Sequence, residues 1–61
     1  MTARLLTAQE VADLIRLDEK TVRRRTRRGE IPGAMNVGTE KRPVWRYDAR
    51  RIDDWLKRLA A

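Results

Sequence analysis

The chain contains no cysteine, no histidine and no serine. No disulfide can brace the fold, and the usual ligands of a structural zinc are missing. The same absences remove the commonest catalytic nucleophiles and the side chain that titrates near neutral pH. Asp53 and Asp54 are adjacent carboxylates, but neighbouring helical residues diverge by about 100° and do not converge on one reacting group. Tyr47, a lone phenol at the end of an alternating segment, reads as core rather than as a nucleophile. The residue content is that of a binding module, not an enzyme, with no cofactor, metal or small-molecule ligand expected. Apolar runs are short as well. None approaches the ~20 residues of a membrane span, and no charged-then-apolar leader opens the sequence. A cytoplasmic protein with no membrane partner is expected.

The 61 residues read as one domain, 1–61. A chain of this size buries only about 60% of the surface that its unfolded form exposes, so its core is small. The candidates are Leu5, Leu6, Val11, Leu14, Ile15, Leu17, Val22, Ile31, Val37, Val44, Trp45, Tyr47, Ile52, Trp55, Leu56 and Leu59.

Positive charge, by contrast, is abundant and concentrated. Residues 20–28 read KTVRRRTRR, six cations and no acid, while the other nine cations are matched by nine acids. The formal net charge of +6 therefore comes from this segment alone. A neutral scaffold displaying one basic segment points to a polyanion, and double-stranded DNA is the first candidate.

Local signals place that segment on a helix. Thr7 and Glu10 have the spacing of a capping box, with Leu6 and Val11 as the accompanying hydrophobic staple. Val11, Leu14 and Ile15 then give one apolar stripe to a first helix over about Ala8 to Arg16. Asp18 caps a second helix only a few residues later, which is helix-turn-helix spacing. Gly29 ends that helix, and Pro32 and Gly33 prevent its continuation. On a wheel with Lys20 at the origin, Arg24, Arg28, Arg27 and Arg23 fall within about 80° on either side, while Val22 and Thr26 lie opposite. Five like charges on one face repel at i,i+3 and i,i+4 spacing, and a ligand is the expected compensation.

Beyond Gly33 the pattern becomes extended. Ala34 to Val37 and Val44 to Tyr47 read as two strands around a polar tip, Gly38 to Pro43, which together form a wing. Trp45 is assigned to the core rather than to base stacking, because a two-stranded hairpin needs an anchor. Asp48 caps a last helix with an Ile52, Trp55, Leu56 and Leu59 stripe and with Asp53–Lys57 and Asp54–Arg58 pairs. The expected fold is mostly α with a small β-hairpin: helix, turn, helix, two-stranded wing, C-terminal helix.

The run LLTAQEVADLIRLDEKTVRRRTRRGEIP resembles the helix-turn-helix of the excisionase-like and MerR-like winged-helix proteins. Their usual form is Leu-Thr, an amphipathic helix, a capped turn, Thr-Val-Arg-Arg, then Gly and Pro. The likeness continues through Trp45-Arg46-Tyr47 and ends in RRIDDWLKRL, which is similar to the closing helix of the group. Arg16 stands where the family often has Gly. Arg25 and Thr26 replace the large apolar residues that usually anchor the recognition helix, which leaves Val22 and the aliphatic stem of Arg25 to hold it.

Short members of this group are commonly phage or mobile-element excisionases, also called recombination directionality factors; longer ones carry dimerisation or effector domains. The resemblance thus implies an excisionase with an integrase as partner and head-to-tail self-association on DNA. The second helix is expected in the major groove, with one or two of Arg23, Arg24 and Arg27 reading bases. Lys20, Thr21 and Arg28 are expected on phosphates, and Lys41, Arg42 and Arg46 are the wing contacts. Arg50 and Arg51 are further candidates for phosphate contact. A small MerR-like transcriptional regulator built on the same domain is the alternative reading. More distant alternatives are an RNA-binding arginine-rich helix and a docking surface for an acidic protein.

Overall fold

In a computed structural model describing residues 4–60, the elements run β1 (Leu5–Thr7), α1 (Ala8–Ile15), α2 (Glu19–Arg27), β2 (Ala34–Asn36), β3 (Trp45–Asp48) and α3 (Ala49–Ala60). Three helices and a small antiparallel sheet form a winged helix-turn-helix. The expected two-stranded wing is corrected in one respect. The sheet has three strands, ordered β1-β3-β2, so β3 is central rather than an edge. Leu6 lies opposite Tyr47 on one side of β3, and Ala34 lies opposite Tyr47 on the other. The extra strand answers the anchoring problem of an isolated hairpin, because β1 ties the wing to the entry of α1.

The capping box forms as expected. Glu10 N–H donates to the Thr7 hydroxyl oxygen (3.1 Å), and Thr7 N–H donates to the Glu10 carboxylate (3.0 Å). Leu6 and Val11, the staple positions, are both buried. Helix α1 ends at Ile15, one residue short of the expected Arg16, which is instead its C-cap with a left-handed φ of 57°. The turn is fixed there by Leu17 N–H donating to the Ala12 carbonyl (3.0 Å). Helix α2 starts at the Asp18 cap and ends in a Schellman pair: Gly29 N–H bonds the Thr26 carbonyl and Glu30 N–H the Arg25 carbonyl, both at 3.0 Å. Gly29 supplies the positive φ of 73° that this ending requires. Asp48 caps α3 by accepting from Arg50 N–H at 2.9 Å.

The core is Leu6, Ala8, Val11, Ala12, Val22, Ile31, Tyr47 and Ile52, with Ile15, Leu17, Trp45, Trp55 and Leu56 packed partly buried against it. Five expected core residues, Leu5, Leu14, Val37, Val44 and Leu59, are exposed instead. Leu5, Leu14 and Leu59 lie on faces or ends that no further layer covers, and Val37 and Val44 belong to the wing. In so small a domain the interior is filled early, and Ala8 and Ala12 take core positions because α1 packs closely. Of the two expected α3 pairs, Asp53–Lys57 forms at 3.2 Å; Asp54–Arg58 is not among the ion pairs of the described residues.

Candidate nucleic-acid interface

Helix α2 is fastened to the core by two residues only, Val22 and Thr26, both buried. The expected second anchor, the stem of Arg25, is corrected: Arg25 is exposed and Thr26 takes that part. Its hydroxyl lies 2.6 Å from the Tyr47 hydroxyl and 2.7 Å from the Val22 carbonyl oxygen. A threonine can hold the helix down because the facing core residue is a phenol with a matching polar tip. Burial raises the Tyr47 phenol above its ordinary pKa, partly countered by the Thr26 hydrogen bond. Tyr47 is therefore a structural group, fully buried and engaged.

With that side fixed, the opposite face is set. Lys20, Arg23, Arg24, Arg27 and Arg28 are all exposed and together border one open hollow on the surface. The wheel placed these five together, and the structure brings them together. They differ in their partners. Arg23 is paired with Glu19 one turn earlier, and Arg28 lies 3.8 Å from Glu30. Lys20, Arg24 and Arg27 make no ion pair among the described residues.

Thr21 is placed differently from the rest. It is half-buried, its hydroxyl is engaged by Asp18, and its N–H donates to the other Asp18 oxygen at 3.1 Å. The two hydrogen bonds from Thr21 hold the Asp18 carboxyl below the usual carboxylate range, the hydroxyl contributing most. Thr21 thus sets the start of the basic helix.

Lys41 and Arg42 are exposed on the wing tip. Arg46 sits in the central strand, half-buried, with a guanidinium N–H donating to the Trp45 carbonyl (2.8 Å). The tip is held by Asn36, which had no expected role. Its side-chain oxygen accepts from Gly38 N–H (2.9 Å) and Val44 N–H (3.1 Å), and its amide nitrogen donates to the Thr39 carbonyl (3.2 Å). Thr39 adds a hydrogen bond in each direction with Arg42. Gly38 is required by proximity, since a Cβ there would come within 2.4 Å of the Arg42 carbonyl oxygen. An Asn-x-Gly run at the end of a strand is the sequence signal that marks such a turn. Arg50 is exposed at the start of α3, and Arg51 beside it is exposed as well.

Residues 5–60 match the model of the helix-turn-helix domain family. The chain belongs to that family. It is an excisionase-like helix-turn-helix DNA-binding domain, of a kind that is typically non-enzymatic. No curated protein and no solved structure gives a significant match. Among the described residues, no helix is long and apolar enough to cross a membrane.

Proposed function

We propose that this helix-turn-helix domain is an excisionase: a recombination directionality factor that binds duplex DNA sequence-specifically, bends attachment-site DNA, and favours integrase-mediated excision. The observation that carries the DNA part is the five-cation face of α2, held outward by Val22 and Thr26. In the bound state α2 lies in the major groove, where Arg24 and Arg27 read base edges and Lys20 and Arg28 hold phosphates. Arg23 lies beside them on the wing side. Lys41, Arg42 and Arg46 meet the backbone near the adjacent minor groove. The chain does no chemistry; the strand exchange belongs to the integrase.

The recombination part is supported by the resemblance of the motif order to the excisionase-like winged-helix proteins, a pattern that the MerR-like proteins share. On this reading protomers are set head-to-tail on directly repeated sites, a heterologous contact rather than a two-fold one. Its place of action is then the DNA of a bacterial host's cytoplasm. Gel-shift on attachment-site DNA tests this reading, with stepwise cooperative complexes and a bend that grows with occupancy as the expected result. Added to an integrase reaction, the protein should stimulate excision and suppress integration. If about five phosphates are neutralised, log K falls against log salt with a slope near −4 to −5. A stable dimer on an inverted repeat beside a promoter, without effect on recombination, would instead identify a MerR-like transcriptional regulator.

A further inference from the structure

A cleft runs between the recognition helix and the sheet. Arg23 of α2 and Arg46 of β3 both line it, with Gln9, Glu19, Pro43 and Trp45. Both guanidinium groups are restrained: Arg23 by its pair with Glu19, and Arg46 by its hydrogen bond to the Trp45 carbonyl. The cleft therefore has two planar cationic groups from different elements and a single carboxylate, Glu19, among its lining residues.

We infer that this cleft seats one phosphate of the DNA backbone, gripped by Arg23 and Arg46 together. The inference rests on the DNA-binding reading above. A protein that reaches into a major groove with a helix and toward the next minor groove with a wing must straddle the strand that separates them. The cleft lies between those two elements, so that strand crosses it. Guanidinium groups match phosphate oxygens in bidentate geometry, and two of them on one phosphate fix register without reading sequence. Glu19 holds Arg23 ready in the free protein, and the phosphate replaces it as acceptor on binding. Arg23 is thereby a phosphate residue, and base reading is left to Arg24 and Arg27.

The test uses a duplex recovered by selection from a random-sequence pool, with each phosphate in turn replaced by a neutral methylphosphonate. Against the wild-type protein, one position near the junction of the two grooves should weaken binding by roughly tenfold, the size of a hydrogen bond to a charged group. That loss should shrink in Arg23→Ala and equally in Arg46→Ala, and disappear in the double variant. Each single variant should lower the salt slope by less than one, since the other arginine still neutralises the phosphate, and the double variant by about one, because a single phosphate is shared. Arg46→Gln, which keeps the packed stem, serves if Arg46→Ala melts early. Two different sensitive positions, or a double variant that loses about two from the slope, would overturn the shared seat while leaving DNA binding intact. A wild-type protein that selects no duplex would overturn the DNA reading itself, and this inference with it.

Discussion

Helices α2 and α3 are both rich in arginine, yet only one of them is arranged as a binding surface. In α3 the cations Arg50, Arg51, Lys57 and Arg58 are interleaved with Asp53 and Asp54, and an Ile52, Trp55 and Leu56 stripe holds the helix to the core. In α2 a single acid, Glu19, accompanies five cations, and the hold is one valine and one hydroxyl. A helix meant only to close a domain can have hydrocarbon on one side and balanced charge on the other. A helix that must present charge gives up both, and its attachment becomes polar.

The largest effect should come from the hydrocarbon side. Ile52 is almost fully buried and opens the α3 stripe, so Ile52→Ala should cost about 2–5 kcal/mol. In a domain this small that loss approaches the whole stability, and thermal unfolding followed by circular dichroism should show a chain largely unfolded at 37 °C. A loss below about 1 kcal/mol would mean that α3 is not the principal apolar anchor.

The polar anchor of α2 makes a sharper, asymmetric prediction. Thr26→Val keeps the volume but leaves the buried Tyr47 hydroxyl without its partner, at a cost of about 1–3 kcal/mol. Tyr47→Phe should cost less, about 0.5–1.5 kcal/mol, because the Thr26 hydroxyl still reaches the Val22 carbonyl. The double variant should recover part of the sum, since removing both polar tips leaves no orphan. Urea titrations of the four proteins give the coupling directly; additive losses would show that the two hydroxyls act independently.

The charge half of the comparison is read in binding rather than in stability. Arg24→Ala or Arg27→Ala should weaken specific duplex binding by about 1–3 kcal/mol and relax preference at one base position. Arg58→Ala, on the balanced helix, should change affinity by less than about 0.5 kcal/mol. Melting temperatures of all three should stay close to wild type. Uniform weakening across unrelated duplexes would reassign the affected arginine to a phosphate.

Those contrasts were unequally legible in the sequence. The caps at Thr7 and Asp18, the glycine ending of α2 and the five-cation face follow from short-range chemistry, and local rules suffice for them. Strand β1 does not, because Leu5–Thr7 is three residues long and its pairing is set by a β3 segment some forty residues away. The same limit hid the part played by Thr26: the wheel puts it on the inner face beside Val22, but a threonine there becomes an anchor only because the Tyr47 hydroxyl faces it. Leu14 and Leu59 fit their apolar stripes yet are 53% and 63% exposed, since periodicity says which face is apolar and not what covers it. Arg16 stands where the family often has Gly, and its φ of 57° is the reason a glycine suits that turn. Arg16→Gly should relieve that left-handed strain and raise stability by about 0.5–1 kcal/mol, net of the freer unfolded chain, as measured in urea. A loss of stability would mean that the arginine side chain contributes more than its backbone costs.

The smallest effect concerns how the basic helix begins. Asp18 places a negative charge at the N-terminus of α2, where the dipole favours it, and its two Thr21 hydrogen bonds favour the ionised form. The folded carboxyl therefore titrates below the unfolded value of about 3.9, and the folded chain binds fewer protons there than the unfolded one. Its stabilising contribution is complete above the unfolded pKa and is lost as pH falls through the folded one. Asp18→Asn separates this from the other carboxylates, because asparagine caps about as well but carries no charge to lose. Urea midpoints at pH 6 should favour the wild type, and the difference should shrink by pH 3. Parallel midpoints across that range would show that the cap works through its hydrogen bonds alone, and that charge at the start of α2 is indifferent to folding.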